Sequence, residues 1–139
     1  MATFTKFDVF TENLAEGVHD LGADTLKIML TNSAPLAANT VKANLTEISA
    51  GNGYTAGGAT VTITASSQSS GVYSLVGNDV VFTASGGSVG PFRYAVLYND
   101  TPTSPADPLI AFWDYGSSVT LASGETLTVD FGANILTVT

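Results

Sequence analysis

Residues 90–100 read GPFRYAVLYND, and the alternation within this stretch decides the fold. Successive side chains of a β-strand point to opposite faces of a sheet. One face of such a strand would carry the apolar and aromatic groups of Phe92, Tyr94, Val96 and Tyr98. The other face would carry Arg93, Ala95 and Leu97. The stretch therefore predicts a β-strand over 92–98.

Arg93 is the only arginine of the chain and stands among aromatic residues. An isolated charge is costly to bury, so a carboxylate partner is expected. Asp114 is a candidate because, in the strand-like stretch LIAFWDY (109–115), it faces away from Trp113 and Tyr115. The sequence thus predicts a structural ion pair between Arg93 and Asp114, with a contact to a neighbouring subunit as the alternative. Trp113 is interpreted as a core residue, and a sugar-stacking platform is its alternative.

The same period of two recurs on both sides of this central strand. Further strands are predicted at 25–31, 59–66, 72–76, 79–84, 109–115, 118–122, 125–131 and 135–139. The dipeptide Gly77-Asn78 suits a two-residue hairpin between two of them. Many short strands at close spacing favour an antiparallel β-sandwich.

One segment near the N-terminus has the period of a helix instead. Apolar residues follow one another at steps of three or four, at Phe7, Phe10, Leu14, Val18 and Leu21. This pattern predicts an amphipathic helix over about 5–21, with Thr5 as its N-terminal cap and Gly22 just beyond its end. His19 would lie on the surface of that helix.

These patterns together predict one domain over residues 1–139. It would be a mainly β, antiparallel and jelly-roll-like sandwich with a single N-terminal amphipathic helix. Residues 32–58 carry no clear periodicity and predict a long loop. Connections of that length usually wrap a surface or carry function.

The charge balance argues against several classes of partner. The chain has 139 residues, 4 basic against 12 acidic side chains, and a net charge of −8. Nucleic acids and anionic membranes require clustered Lys and Arg, whereas the four basic residues here are scattered, so neither partner is expected. No apolar run has the length of a membrane span, and the start lacks the pattern of a signal peptide.

The sequence offers little for catalysis or metal binding. It has one histidine and no cysteine, so neither a catalytic triad nor a zinc site can be assembled from the usual residues. The segment GNGYTAGG has glycines but not the spacing or the lysine of a phosphate-binding loop. We therefore predict no catalytic residue, no cofactor and no metal, and a protein that is not an enzyme.

Three segments, in this order and spacing, resemble a family of small virion structural proteins of tailed bacteriophages. They are FTKFDVFTENLAEGVHDLGADTLKIMLTNSAP, EISAGNGYTAGG, and GPFRYAVLYND followed by PLIAFWDYGSSVTLASGETLTVDF. The resemblance covers nearly the whole chain. It implies a non-enzymatic β-rich protein of the virion, assembled in the host cytoplasm, and first of all a head decoration or cement protein. No catalytic residues come with the family.

A cement protein would contact the major capsid protein and itself, and a trimer around local symmetry axes is the companion hypothesis. The N-terminal segment and the 32–58 loop are expected to face those partners. The predicted interface residues are Thr3, Phe4, Thr5, Lys6, Phe7, Pro35, Leu36, Asn39, Val41 and Tyr54. Two rivals stay open, namely a cell-wall hydrolase and a tail or tail-fibre module. The latter would bind host glycan through exposed aromatics such as Tyr54, Tyr73 and Trp113.

Overall fold

The computed structural model describes residues 2–139, and the chain is mainly β with one α-helix near the N-terminus. The helices are α1 (Asp8–Ala15) and a short 3-10 helix (Lys42–Asn44). The strands are β1 (Thr3–Lys6), β2 (Leu26–Thr31), β3 (Ala59–Thr60), β4 (Ile63–Ser69), β5 (Val72–Gly77), β6 (Val80–Thr83), β7 (Val89–Asn99), β8 (Leu109–Leu121), β9 (Thr126–Val129) and β10 (Leu136–Val138).

The strands form three antiparallel sheets of different size. The order is β1-β8-β7-β2-β3 in the five-stranded sheet, β10-β5-β4 in the three-stranded sheet and β6-β9 in the two-stranded sheet. Ile28 and Leu97 of the largest sheet share one hydrophobic cluster with Leu75 and Val129 of the smaller sheets. The smaller sheets therefore lie against one face of the largest sheet in a sandwich-like arrangement. The predicted mainly β, antiparallel fold with one N-terminal helix is confirmed.

The opposite face of the five-stranded sheet is also covered. A second cluster contains Phe7, Met29, Tyr94, Val96, Tyr98, Leu109 and Phe112. Leu45, from the loop over 32–58, packs against this cluster. Because apolar groups cover both faces of β7, the strand predicted from GPFRYAVLYND is the central buried strand of the molecule.

The predicted helix over 5–21 is wrong at both ends. Residues 3–6 form β1, which pairs with β8, so Thr5 cannot cap a helix. At the other end Gly17 has φ +78°, its N–H bonds to the carbonyl of Leu14, and the N–H of Val18 bonds to the carbonyl of Asn13. These bonds are the Schellman motif, which ends a helix. The apolar period continues to Leu21 because the loop after the helix also buries that side chain.

Three predictions about the strands also change. The strand predicted over 59–66 is wrong, because it divides into β3 and β4, which belong to different sheets. The predicted hairpin at Gly77-Asn78 is wrong, since β5 pairs with β4 and β10 while β6 pairs with β9. The actual two-residue hairpin is Ser70-Gly71, where both residues have positive φ and join β4 to β5. Positive φ at both central residues is the type I′ geometry that suits a hairpin. The strands predicted at 109–115 and 118–122 are one continuous strand, β8.

Candidate interaction surface

Strand β1 lies at the edge of the five-stranded sheet, with β8 as its strand partner. Thr3, Phe4 and Lys6 are exposed, and Thr5 is half-buried. The ring of Phe4 stacks edge-on against Trp113 with centroids 5.4 Å apart, yet 44% of Phe4 stays exposed. An edge strand presents unpaired N–H and C=O groups to any strand that approaches it. This end of the molecule therefore combines open main-chain groups with an exposed aromatic ring.

A cleft opens beside β1, between the two faces of the sandwich. It has a volume of about 340 Å³. Its lining includes Phe4 and Phe10 from the N-terminal segment and Ile135 and Leu136 from the β10 side. Lys6 also lines the cleft and donates a 2.8 Å hydrogen bond to the hydroxyl of Thr11. The apolar surface that Phe4 exposes therefore continues into the cleft.

A second exposed apolar group comes from the long loop. Leu36 is 65% exposed. Its N–H donates to the side-chain oxygen of Asn39 at 2.7 Å, and the N–H of Asn39 donates to the carbonyl of Leu36 at 2.9 Å. A further 2.9 Å bond, from the N–H of Asp8 to the carbonyl of Ala37, ties this turn to the start of α1. The turn therefore holds Leu36 at the surface, next to the N-terminal segment.

The two segments expected to face a partner are thus joined in the structure. We call the shared region the N-terminal edge surface. It consists of Thr3, Phe4, Lys6, Leu36, Asn39 and Val41. Val41 is half-buried and forms an isolated bridge with Pro108.

Four predicted interface residues lie outside this surface. Thr5 is half-buried in β1, and the burial of Phe7, Pro35 and Tyr54 contradicts their assignment. Phe7 is completely buried, with its ring 5.2 Å from that of Phe112. Pro35 is buried as well. Tyr54 is 3% exposed, and its hydroxyl accepts a bond from the N–H of Leu30. These three side chains hold the loop and the strand in place and are covered by their own chain.

The loop over 32–58 is anchored by the carboxylate of Glu47. That carboxylate accepts a 2.5 Å bond from the Tyr54 hydroxyl and a 2.7 Å bond from the N–H of Gly57. Its other oxygen lies 3.1 Å from the ammonium of Lys42. Burial, together with the bond to Glu47, raises the pKa of Tyr54 above its usual range. A segment without regular periodicity is thereby fixed over the five-stranded sheet.

The ion pair predicted between Arg93 and Asp114 is present. Arg93 donates to both carboxylate oxygens, with Nε–Oδ1 at 2.8 Å and Nη2–Oδ2 at 3.1 Å. The bonds from Arg93, and then the bond from the N–H of Gly116, lower the pKa of the Asp114 carboxyl. The pair is partly exposed and links β7 to β8, and an exposed pair of this kind contributes at most about 1 kcal/mol to stability.

His19 is buried rather than on a helix surface, which overturns its predicted position. It lies in the loop after α1, is 6% exposed and packs its ring 5.4 Å from that of Phe10. The side chain of Asn99 lies 3.0 Å from its Nδ1 and also donates to the carboxylate of Asp24. Burial lowers the pKa of His19, and the nearby Asp24 partly opposes that shift. The burial of His19 was not visible in the local sequence, because its partners Asn99 and Asp24 are not its neighbours on one helix face.

The aromatic residues considered for stacking on a sugar differ in exposure. Trp113 is 8% exposed and packs against Phe131, as expected for a core residue. Tyr54 is buried as described above. Tyr73 is half-buried and lines an open groove together with Asp20 and Ser66.

No group of three or more His, Asp or Glu side chains among residues 2–139 is arranged to hold a metal ion. Neither of the helices described above is long and apolar enough to cross a membrane. Comparison with protein-family models, with curated proteins and with solved structures finds no match to this chain.

Proposed function

We propose that this chain is a virion structural protein of a tailed bacteriophage, and specifically a capsid decoration or cement protein. In this role it bridges major capsid subunits and acts without catalysis. The resemblance of its ordered segments to such proteins motivates the proposal. The observation that carries it is the N-terminal edge surface, where an open strand edge meets two exposed apolar groups.

The exposed apolar groups support a role in protein contacts. Phe4, Leu36 and Val81 are the large hydrophobic residues that stay exposed among residues 2–139, and two of the three belong to the N-terminal edge surface. Large apolar and aromatic side chains are typical anchors of protein interfaces. The open edge of β1 can add main-chain hydrogen bonds to a neighbouring strand.

The low charge of the chain fits a subunit that is covered in an assembly. Charged residues make up 12% of the sequence, about half the usual share. A free protein normally relies on mixed surface charges to avoid association. Repeated on a closed shell, contacts of ordinary size, about 1,600 Å² in total, resist separation of the subunits through multivalency.

A binding assay on capsid shells that lack this protein tests the proposal. Leu36→Asp should weaken co-sedimentation with the shells by about tenfold or more, since a buried Leu contributes about 1.5–3 kcal/mol. Phe4→Ala should weaken it in the same direction. Val81→Asp is the matched control because Val81 is 54% exposed but lies on β6, away from this surface. Undiminished binding of both Leu36→Asp and Phe4→Ala, with all variants folded, would contradict the assignment.

A tail or tail-fibre module that binds host glycan is the alternative. The observation in its favour is the groove lined by Tyr73, Asp20 and Ser66, which combines an aromatic ring with polar groups. Trp113 and Tyr54, the other two aromatic candidates, are buried. Specific sugar binding on a glycan array, lost in Tyr73→Ala, would favour this alternative over the cement role.

A further inference from the structure

We propose that strand β4 is a self-association edge, where two copies of this chain join by pairing β4 with β4 in antiparallel orientation. This inference does not depend on the proposed function. It rests on the placement of β4 at an open sheet edge and on the distribution of charge along the chain.

The first observation is the exposure of β4. It is the outer strand of the three-stranded sheet, and within residues 2–139 no strand pairs with its outer edge. Every residue of β4 after Ile63 is exposed. Proteins usually protect an open edge with charged residues, proline or a covering segment, whereas the sequence ITASSQS carries neither charge nor proline. A strand of seven residues offers an edge about 23 Å long.

The geometry of the hairpin shows which groups are free. Ser69 and Val72 flank the two-residue turn and are paired across it. Pairs in an antiparallel ladder alternate between hydrogen-bonded and non-hydrogen-bonded, and the pair that flanks a two-residue turn is a bonded one. The N–H and C=O groups of Gln68 and Ser66 therefore point away from β5, toward the open edge.

The second observation concerns charge and favours a second copy of the chain as the occupant. Residues 48–78 contain no Asp, Glu, Lys or Arg, although the chain as a whole has a net charge of −8. Two copies of an acidic protein repel one another over most of their surfaces. They can approach closely where charge is absent, and the edge and outer face of β4 lie within this uncharged segment. The nearest groove, on the inner face, carries the carboxylate of Asp20.

Antiparallel pairing also explains why a single strand of each copy can form the contact of a dimer. When two identical strands pair antiparallel, each contributes the same surface and a two-fold axis relates the copies. Residue pairs across the new ladder would join Ser, Thr, Ala and Gln side chains, with no like charges opposed. This arrangement gives a dimer through β4, in place of the trimer considered from the sequence.

Sedimentation of the purified full chain over a wide range of concentration tests the inference. The wild type should show a concentration-dependent shift from monomer to dimer. In the new ladder Ser66 of one copy pairs with Gln68 of the other, so the two-fold axis passes between the two copies of Ser67. Ser67→Lys places a charge on the exposed outer face of β4 and should abolish the dimer, because the two ammonium groups would then meet across the axis. Thr128→Lys, on the exposed side of β9, is the matched control and should dimerise like the wild type.

Hydrogen exchange at single amides provides a second readout that a change at another surface would not produce. At high concentration the amides of Ser66 and Gln68 should become protected, and dilution should remove that protection. The amide of Ser67, which bonds to β5, should be protected at both concentrations. A monomeric wild type, a trimer, a dimer that survives Ser67→Lys, or protection of Ser66 and Gln68 that ignores concentration would each overturn the inference.

Discussion

At the residue scale, Glu47 holds a long irregular segment in one conformation. Its carboxylate binds the Tyr54 hydroxyl, the N–H of Gly57 and the ammonium of Lys42. The Tyr54 hydroxyl in turn accepts the N–H of Leu30 from strand β2. One acidic side chain therefore connects three points of the loop to the largest sheet.

Removing this carboxylate should loosen the loop. Glu47→Ala leaves a buried tyrosine hydroxyl and a main-chain N–H without their acceptor, so we expect a loss of about 3 kcal/mol in the free energy of unfolding. Glu47→Gln retains one acceptor oxygen and should lose less. Urea unfolding measures both values, and faster exchange of the Gly57 amide in Glu47→Ala would locate the effect. Equal stability of Glu47→Ala and the wild type would contradict this account of the loop.

His19 should make the stability of the chain sensitive to mild acid. Burial lowers its pKa in the folded chain below the value of 6.5 that it has when unfolded. As the pH falls below 6.5 the unfolded chain therefore binds more protons, and the free energy of unfolding decreases until the folded pKa is passed. The stabilising state is the neutral ring, whose Nδ1 can accept a bond from Asn99.

The test compares the wild type with His19→Asn, in which the amide oxygen takes the place of Nδ1. The wild type should lose stability between about pH 7 and pH 5.5, whereas His19→Asn should lose less over the same range. Urea unfolding at several pH values measures the difference. Parallel pH profiles for the two proteins would show that His19 does not titrate in this way.

Some residue roles follow from sequence and others do not. The Arg93–Asp114 pair is predictable because each residue is a charge within an apolar strand, and a charge in such a place is costly without a partner of opposite sign. The burial of Tyr54 and His19 is not predictable from the local pattern, because their partners Glu47 and Asn99 are tertiary neighbours. Phe7 directly follows the exposed segment 3–6, which is why the sequence predicts it at an interface. In the structure its side chain is part of the hydrophobic core.

At the scale of elements, glycine positions decide where helices end and where strands can approach. Gly17 ends α1 with a positive φ, and a Cβ added there would meet no atom within 4 Å. Gly58 also has a positive φ, but a Cβ added there would overlap the carbonyl oxygen of Ile28 in β2. An added side chain at Gly17 would therefore cost free energy through backbone strain alone, whereas one at Gly58 would add a steric clash.

Alanine substitutions at the two sites should differ in size. Gly17→Ala should cost about 1 kcal/mol, the typical penalty of a left-handed conformation for an L-residue. Gly58→Ala adds a clash between main-chain atoms near β3 and β2 and should cost more than about 3 kcal/mol or prevent folding. Thermal or urea unfolding of both variants measures the difference. Equal losses would mean that β2 and the Gly58 segment are not in this close contact.

The bounds of the strands, the helix and the hairpin show which elements a local sequence pattern can predict. The strands β2 and β7 were predicted to within three residues of their true bounds, because each contains a run of apolar residues that is buried on both faces of the sheet. The helix was extended too far because Leu21 keeps the apolar period after the Schellman turn at Gly17 has ended the helix. The hairpin was misplaced because Gly77-Asn78 and Ser70-Gly71 both suit a turn, and sheet pairing selects the second.

At the scale of the whole molecule, the surface divides into three regions of different character. The N-terminal edge surface exposes two large apolar side chains, Phe4 and Leu36, among polar ones. The β4 edge is polar but uncharged. The acidic residues lie outside the uncharged segment over 48–78. Two separate sheet edges allow one subunit to contact two neighbours, as a bridging protein requires.

The two contact regions should be separable. The capsid shell is proposed to meet β1 and the turn at Leu36, whereas a second copy is proposed to meet β4. Ser67→Lys should therefore still bind capsid shells, and Leu36→Asp should still dimerise. Co-sedimentation and analytical sedimentation of the same two variants check both statements, and loss of both activities in either variant would contradict the separation.

A cryo-EM map of the intact virion tests the central proposal most directly. We expect repeated density for this chain on the head shell, across the boundary between capsid subunits, with β1 and Leu36 against the shell. Density for the chain in the tail, and none on the shell, would contradict the proposal.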